Sequence, residues 1–257
     1  MDREAYQRWW EEKWGERELL LRSVFGETDS LNSVISFYWD DFDLEIPGAC
    51  AMVFPPKPGQ REHWLALSHG LTQPESPQDV RGQDEPSGYG CEFAFTTPEK
   101  ADWAPDALQL LLTYLKQSAR AIERGHRLPF WFFRDSSQNL VGEIGKVDRR
   151  EGRSPVGEMR ALIFWPDMSH PSGFDTSTGF FSILVGTTIT EKEWQLAKGT
   201  SSAHLLLMLF TAGVGQLSDL NRPSVATETT LRTEWERISS LPEEAAEKEL
   251  LRFANPK

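Results

Sequence analysis

Four short apolar segments follow one another in the first hundred residues, and several of them are not separated by a helical pattern. They are rich in the β-branched and aromatic residues that favour strands, and they span residues 34–39, 49–54, 63–69 and 89–97. Two further segments of this kind cover residues 161–165 and 180–189. Strands in this arrangement favour an α+β fold with a mixed, largely antiparallel sheet over a doubly wound parallel sheet.

The helices predicted to flank this sheet have apolar residues spaced three to four apart. The clearest one runs over residues 104–124, with Pro105 in its first turn and Gly125 as its C-terminal cap. Thr190 and Glu193 have the spacing of a capping box, which predicts the start of a short helix. The predicted helices comprise residues 1–25, 104–124, 190–197, 203–210 and 243–253.

The length and composition are those of a soluble globular chain. Of the 257 residues 39% are hydrophobic, including 10 Trp and 15 Phe, so a sizeable core forms without help from disulfides. Cys50 and Cys91 form no CxxC pair, and we expect two buried free thiols. The charged residues 1–4 are followed by no apolar signal core, so a cytoplasmic location is expected.

The charge balance excludes two classes of partner. The chain has 27 Lys and Arg against 39 Asp and Glu, a formal net charge of −12. Binding to a nucleic-acid backbone needs clustered basic residues, which release the counterions of the phosphates. Docking on anionic lipid also needs positively charged residues. We therefore expect no nucleic acid and no membrane as partner, and no segment of about 18 apolar residues is present to span a bilayer.

The sequence contains no recognisable catalytic, metal or cofactor motif. A P-loop, a strand followed by GxGxxG and a GxSxG nucleophile turn are all missing. His63 and His69 would share one face of a strand but lie about 20 Å apart, too far to share an ion. We expect each histidine to be a hydrogen-bonded structural residue, and Asp40, Asp41 and Asp43 to be a solvated strand end. No catalytic residue, metal ligand or cofactor is predicted.

Two segments are predicted to be surface loops. Residues 72–88 are rich in Pro, Gly and acids, and such loops often carry function. Residues 134–158 are polar and rich in Gly and Arg, which indicates a long loop or an exposed hairpin. Directly after the first loop, residues 89–97 alternate in polarity as a half-buried strand would.

Beyond these patterns, the order of several short motifs resembles the suppressor of fused family. The motifs are His63-Trp64, Gly70-Leu71, Pro86-Ser87-Gly88-Tyr89-Gly90, Glu92-Phe93, Trp103-Ala104-Pro105, Gln117-Ser118, Gly125-His126, Asp167 to His170, Phe180 to Gly186, Ile189 to Glu193, Trp194 and Gly199. The resemblance covers about residues 30–226. It divides the chain into an N-terminal helix packed on the domain (residues 1–29), a suppressor-of-fused-like domain (30–226) and a C-terminal helical extension (227–257).

The resemblance implies a non-enzymatic protein-binding module. In animals this domain is the N-terminal half of a larger protein that sequesters a transcription factor of Hedgehog signalling, whose peptide adds as a strand between two domains. Only one such domain fits here, so binding of that transcription factor is not expected. Stand-alone bacterial members look like immunity proteins of polymorphic toxin systems, which neutralise a toxin by binding it. The expected partner is a basic toxin domain or a peptide that adds to a sheet edge.

Three residues are predicted to contact the partner by this resemblance. Asp84 matches an acidic family residue that contacts the partner peptide just before the Pro-Ser-Gly turn. Glu85 replaces a usual Gly, and Tyr89 follows in the same segment. The family's aromatic contact residue in the preceding loop has no match in this chain. An alternative is that Asp84 only stabilises its own turn.

Two other functions stay open at this point. One is a hydrolase-like enzyme built from the loop acids and His63 or His126, which predicts a deep pocket where a histidine and a carboxylate converge. The other is a structural subunit that self-associates through its aromatic helices. The oligomeric state does not follow from the sequence.

Overall fold

The computed structural model describes residues 2–39, 44–59, 61–118, 121–129, 159–171 and 173–254. The chain has an α+β fold with a mixed, mostly antiparallel sheet, which confirms the predicted fold class. Asp40, Asp41, Asp43 and the predicted loop over 134–158 lie outside the described residues. The described residues form two compact units, one within residues 1–120 and 170–184 and the other within residues 121–169 and 185–257.

The first unit contains four antiparallel strands in chain order, which are β1 (Ser30–Trp39), β2 (Leu44–Phe54), β3 (Trp64–His69) and β4 (Pro86–Thr97). Strand β8 (Gly179–Thr190) is the next neighbour of β4, and its first half belongs to this unit. A short strand β7 (Gly173–Thr176) pairs with that half of β8. The register places Cys50 opposite His69 and Leu67 opposite Ala94.

Helices α1 (Arg3–Phe25) and α2 (Trp103–Ser118) cover opposite faces of these strands. The Phe25 ring of α1 lies 5.6 Å from Phe54, whose cross-strand partner Leu65 points to the same face as the other odd-numbered residues of β3. The Trp103 ring of α2 lies 5.5 Å from Phe95, which is paired with the even-numbered residue Ala66. Because strand residues alternate between faces, the two helices lie on different sides.

This double cover corrects the prediction of a half-buried strand over 89–97. Residues 91–95 of β4 are all buried, including the carboxylate residue Glu92, which is 0% exposed. Alternation of polarity predicts that one face of the strand is exposed to solvent, but a strand that lies between two helices has no exposed face. The strand also begins earlier than predicted, at Pro86.

The prediction of one helix over 104–124 is also wrong at its C-terminal end. The structure describes α2 through Ser118, and residues 121–123 are not helical. Gly125 (φ +82°) caps no helix, since its amide donates to the Phe164 carbonyl at 2.7 Å, next to an unpredicted strand β5 (Arg127–Pro129). Ile122 is nevertheless buried, so the apolar spacing correctly marked burial although the backbone there is not a helix.

The second unit combines β5, β6 (Met159–Pro166) and the second half of β8 with helices. Helix α4 is almost entirely buried and packs against α7 and α6. The helices are α3 (Glu191–Leu196), α4 (Ser202–Thr211), α5 (Glu228–Thr230), a π-helical turn (Leu231–Trp235), α6 (Glu236–Ser239) and α7 (Glu243–Ala254). The helical segment over 228–239 was not predicted.

The predicted capping box at the start of α3 is confirmed. The Thr190 hydroxyl accepts a hydrogen bond from the Glu193 amide, and the Glu193 carboxylate accepts one from the Thr190 amide at 2.8 Å. Both bonds satisfy amides that the first turn of a helix leaves without partners.

Candidate functional site

The three predicted partner-binding residues lie in one segment, residues 84–89, which we call the acidic turn. Asp84 and Glu85 are exposed, and the Tyr89 ring is 37% exposed. The Glu85 amide closes the turn by donating to the Gly82 carbonyl at 3.3 Å. Within the described part of the chain, the Asp84 side chain forms no hydrogen bond to its own turn. The structure therefore presents the three side chains together at the surface of the first unit.

Close backbone contact holds the acidic turn against residues 70–73. The Tyr89 amide donates to the Leu71 carbonyl at 2.9 Å, and the buried Ser87 hydroxyl donates to the Thr72 carbonyl at 2.9 Å. Gly88 has φ +53°, and a Cβ there would lie 2.7 Å from the Leu71 oxygen. Glycine is required at this position because any side chain would clash and strain the backbone.

A second turn, residues 176–180, lies beside the acidic turn, and we call it the threonine turn. The Phe180 amide donates to the Glu85 carbonyl at 3.1 Å, and a Cβ on Gly179 would clash with that same carbonyl oxygen. The Phe180 ring is 37% exposed, whereas Phe181 is fully buried. Phe180 is a surface residue that sequence reasoning missed. Alternation along β8 would place one of these two neighbours outside, but only the fold puts it next to Glu85.

A buried arginine underlies both turns. Arg17 of α1 is 0% exposed and donates to the Ser87 hydroxyl at 2.6 Å, to the Thr178 hydroxyl and to the Thr176 hydroxyl at 3.4 Å. A fourth bond reaches the Lys13 carbonyl at 2.9 Å. Burial lowers the pKa of Arg17 to about 10, while the carboxylates of Glu92 and Glu16 act in the opposite direction. The guanidinium is therefore charged at neutral pH.

The buried carboxylate of Glu92 contacts residues 70–73, the segment against which the acidic turn is held. Glu92 accepts hydrogen bonds from the Ser68 hydroxyl at 2.5 Å, from the Thr72 hydroxyl at 2.8 Å, and from the amides of Thr72 and Gly70 at 2.9 and 3.1 Å. Burial raises the pKa of Glu92 above its ordinary value, and these hydrogen bonds offset the rise only in part. A bridge through Thr72 and Ser87 connects this carboxylate to Arg17.

The exposed part of the site has groups that are suited to binding. Asp84 and Glu85 provide carboxylates that accept charge-assisted hydrogen bonds from lysine, arginine or hydroxyl groups. Tyr89 and Phe180 provide half-exposed rings that pack on apolar groups or attract a cation. Together they form an acidic and aromatic surface patch.

The histidines of the alternative enzyme hypothesis do not converge with acids in a described cavity. A cavity of about 240 Å³ beside α2 contains Lys100, Asp102 and Asp106 but no histidine. The exposed His126 accepts from the Glu123 amide through Nδ1 at 3.0 Å. His69 corrects the expectation of hydrogen-bonded histidines, because it is fully buried against Trp14 and its ring nitrogens have no partner among the described residues.

The described ranges contain neither a candidate metal site nor a membrane-spanning helix. No group of three or more His, Cys, Asp or Glu residues there is placed to hold a metal ion. No described helix is long and apolar enough to cross a bilayer. Cys50 and Cys91 are buried free thiols, as predicted.

Known structures share this fold. One chain of the Sufu–Fu complex crystal structure superposes with a TM-score of 0.56 at 18% identity, covering 86% of this chain and 96% of that chain. A suppressor of fused homologue from Neisseria gonorrhoeae gives 0.52 at 16% identity, covering 85% and 99%. Drosophila Suppressor of Fused gives 0.52 at 18% identity, covering 74% of this chain and 46% of that chain.

The sequence matches a family model as well. A comparison with curated proteins finds no match to the chain. The model described as Suppressor of fused protein (SUFU) matches residues 46–223, which is more than half of the chain and includes both the acidic turn and the threonine turn. The chain therefore belongs to the suppressor of fused protein family.

Proposed function

We propose that this chain is a non-enzymatic protein-binding module that sequesters a protein partner through the acidic turn. The observation that carries the proposal is the surface patch itself, in which Asp84 and Glu85 are exposed and the rings of Tyr89 and Phe180 are half-exposed. Aromatic residues are enriched in protein interfaces, and charges around them provide electrostatic complementarity to the partner. A family member has been crystallised in the Sufu–Fu complex, which supports a protein as the partner.

The charge of the chain indicates what kind of partner fits the patch. A net charge of −12 attracts a basic protein and speeds its association, most strongly at low salt. The acids at the patch would then pair with lysine, arginine or hydroxyl groups of the partner. A basic toxin domain has this chemistry, so we propose a bacterial immunity or antitoxin-like role in the cytoplasm, where Cys50 and Cys91 stay reduced.

A sheet edge next to the patch supports the second form of partner, an added peptide strand. Among the described residues, β7 pairs with β8 alone, and its residues Gly173 and Asp175 are exposed. An extended peptide that pairs with β7 would gain main-chain hydrogen bonds and pass near the threonine turn.

Affinity capture followed by a binding titration tests the proposal. The purified chain should retain a stoichiometric protein from a lysate of its source cell, and calorimetry should then show tight binding of that purified protein. The double variant Asp84→Lys/Glu85→Lys should weaken the affinity by about tenfold or more, because two rim carboxylates become repulsive to a basic partner. A failure to find any stoichiometric partner counts against the proposal.

A matched control variant distinguishes the effect of the acidic turn on affinity from the effect of the net negative charge of the chain. Glu236→Lys/Glu244→Lys changes the net charge by the same amount at two exposed helix positions in the second unit. It should change the affinity by less than about threefold at moderate salt, because exposed charges that make no contact with the partner act only through a field that salt screens. Equal losses for the two double variants would show that the acidic turn is not the contact. Co-expression with the captured partner then decides the finer role, since an immunity protein must abolish the partner's toxicity.

A further inference from the structure

The buried Arg17 side chain makes contacts that its own helix does not need. Its guanidinium reaches Ser87 in the acidic turn and Thr178 in the threonine turn, residues that are 70 and 161 positions away in the sequence. The two hydroxyls also bond each other at 2.9 Å, and Thr176 bonds the Gly179 carbonyl at 2.6 Å. Arg17 is therefore the common donor of a small buried network that both turns share.

The same helix holds the threonine turn at a second point. Glu16, the residue before Arg17, accepts from the Ser177 amide at 2.7 Å and from the Ser177 hydroxyl at 2.5 Å. Consecutive residues of α1 therefore contact three consecutive residues of the turn, on its outer and inner sides. Such a bridge restricts the turn far more than one surface bond would.

The cost of burying Arg17 indicates that its role is specific. Among the described residues its partners are three hydroxyls and a main-chain carbonyl, and its Nε atom has no partner. A buried cation without an ion pair is expensive, and an apolar residue would fill the same space at lower cost. The guanidinium donates hydrogen bonds to these hydroxyls, which an apolar side chain could not do.

We infer that Arg17 is a positioning residue that fixes the acidic turn and the threonine turn relative to each other, so that α1 is an essential part of the partner-binding patch. The inference rests on the proposed function for its biological meaning. The family model matches residues 46–223, so the positioning element α1 lies outside the matched segment. A chain trimmed to the matched segment would keep Asp84, Glu85, Tyr89 and Phe180 but lose the residue that arranges them.

Amide hydrogen exchange on the protein alone tests this inference. The reporters are the Tyr89 amide, bonded to Leu71, and the Phe180 amide, bonded to Glu85. Arg17→Met should speed exchange at both by roughly tenfold to a hundredfold, while the Ala66 amide in β3 changes by less than about threefold. Arg17→Lys should restore part of the protection because it keeps the charge and a donor. The exposed helix variant Arg8→Met should leave all three amides unchanged.

A second pair of variants covers the case in which Arg17→Met does not fold. Thr178→Val removes one acceptor of Arg17 at nearly constant volume, and Thr187→Val removes a buried hydroxyl that has no partner among the described residues. Thr178→Val should speed exchange at Tyr89 and Phe180, and Thr187→Val should not. Equal acceleration at Ala66, or no acceleration at the two reporters, overturns the inference. Because no partner is present in this measurement, its outcome is independent of the binding titration.

Discussion

Both units of the molecule contain a buried arginine and a buried glutamate that are linked to each other, but the two links differ. In the second unit Arg222 and Glu193 face each other with two N–O contacts of 2.7 Å, a bidentate ion pair. In the first unit Arg17 and Glu92 are buried at least as deeply, but neutral groups such as Ser87 and Thr72 separate them. A direct pair and a separated pair therefore stabilise two parts of one chain.

The difference shows two uses of a buried charge. Glu193 also accepts from the amides of Val225 and Thr190, so its ion pair ties the 222–225 segment to the start of α3. This arrangement is a static connection between neighbouring elements. Arg17 instead distributes its bonds over hydroxyls of two turns next to an exposed patch. Direct pairing stabilises a segment, whereas the separated arrangement determines the geometry of a surface.

The largest effect is expected from breaking the direct pair. Arg222→Met should lower the free energy of unfolding by about 3–5 kcal/mol, because it leaves the Glu193 carboxylate buried without its cation. Urea denaturation at pH 7 measures this. The control Arg237→Met removes an exposed pair with Glu249 and should cost no more than about 1 kcal/mol. A similar cost for both variants would mean that the buried pair is no different from a surface pair.

Substitution by glutamine, which has nearly the same shape, should have different effects on stability at the two buried glutamates. Glu193→Gln should cost about 2–4 kcal/mol, because the new amide group would face donors on every side, including both Arg222 nitrogens. Glu92→Gln should cost less than about 1 kcal/mol, since its oxygen can still accept from Thr72 and its amide can donate to the Ser68 hydroxyl. Thermal unfolding of the two variants ranks them. The reverse order would contradict the comparison.

The pH dependence of the two glutamates should have opposite signs. Burial raises the pKa of Glu193, but the hydrogen bonds and charge of Arg222 outweigh it, and the pKa lies below its ordinary value of 4.5. Its contribution to stability is present above pH 4.5 and is lost as the pH falls. The pKa of Glu92 is raised mainly by burial, so its contribution is present at low pH and is lost as the pH rises above 4.5.

Denaturation of the wild type and the two glutamine variants between pH 3 and 7 measures these signs. The stability advantage of the wild type over Glu193→Gln should shrink toward acid pH. Its advantage over Glu92→Gln should shrink toward neutral pH. Parallel curves for all three proteins would show that neither carboxylate has a shifted pKa.

The smallest effect on stability is expected at the exposed patch. Asp84→Asn and Glu85→Gln should each change the free energy of unfolding by less than about 0.5 kcal/mol, because both side chains are exposed. The same urea titration at pH 7 measures this. A loss above about 1 kcal/mol at Asp84 would favour the alternative that this residue stabilises its own turn.

Sequence reasoning succeeded where the determining contacts are local. The capping box needs only Thr190 and Glu193, which are three residues apart, and it is present as predicted. Predictions from the sequence were wrong where the packing of helices on the sheet decides which residues are buried. Alternation over 89–97 predicts one wet face, but α1 and α2 cover both sides of β4 and bury Glu92. The spacing over 104–124 likewise detected the buried Ile122 but placed it in the wrong backbone conformation.

In the candidate site as well, the sequence indicated the residues of one local segment, and the tertiary structure added residues from distant parts of the chain. The resemblance placed Asp84, Glu85 and Tyr89 in one segment, and their contact with a partner stays a prediction. The residues around that segment, Arg17 and Phe180, come from a helix near the N-terminus and a strand near residue 180. No spacing rule connects positions so far apart, because their proximity depends on the pairing of the strands that lie between them.

The sequence by itself determined the α+β class, the order of the main strands, the family and the local capping chemistry of α3, because these depend on neighbours along the chain or on the order of motifs. Tertiary structure alone decided which charges are buried and which are exposed. Arg17 and Asp84 are both charged residues in polar stretches of the sequence. One became the internal support of the patch and the other its surface, since burial depends on what packs on top of a residue and not on the residue itself.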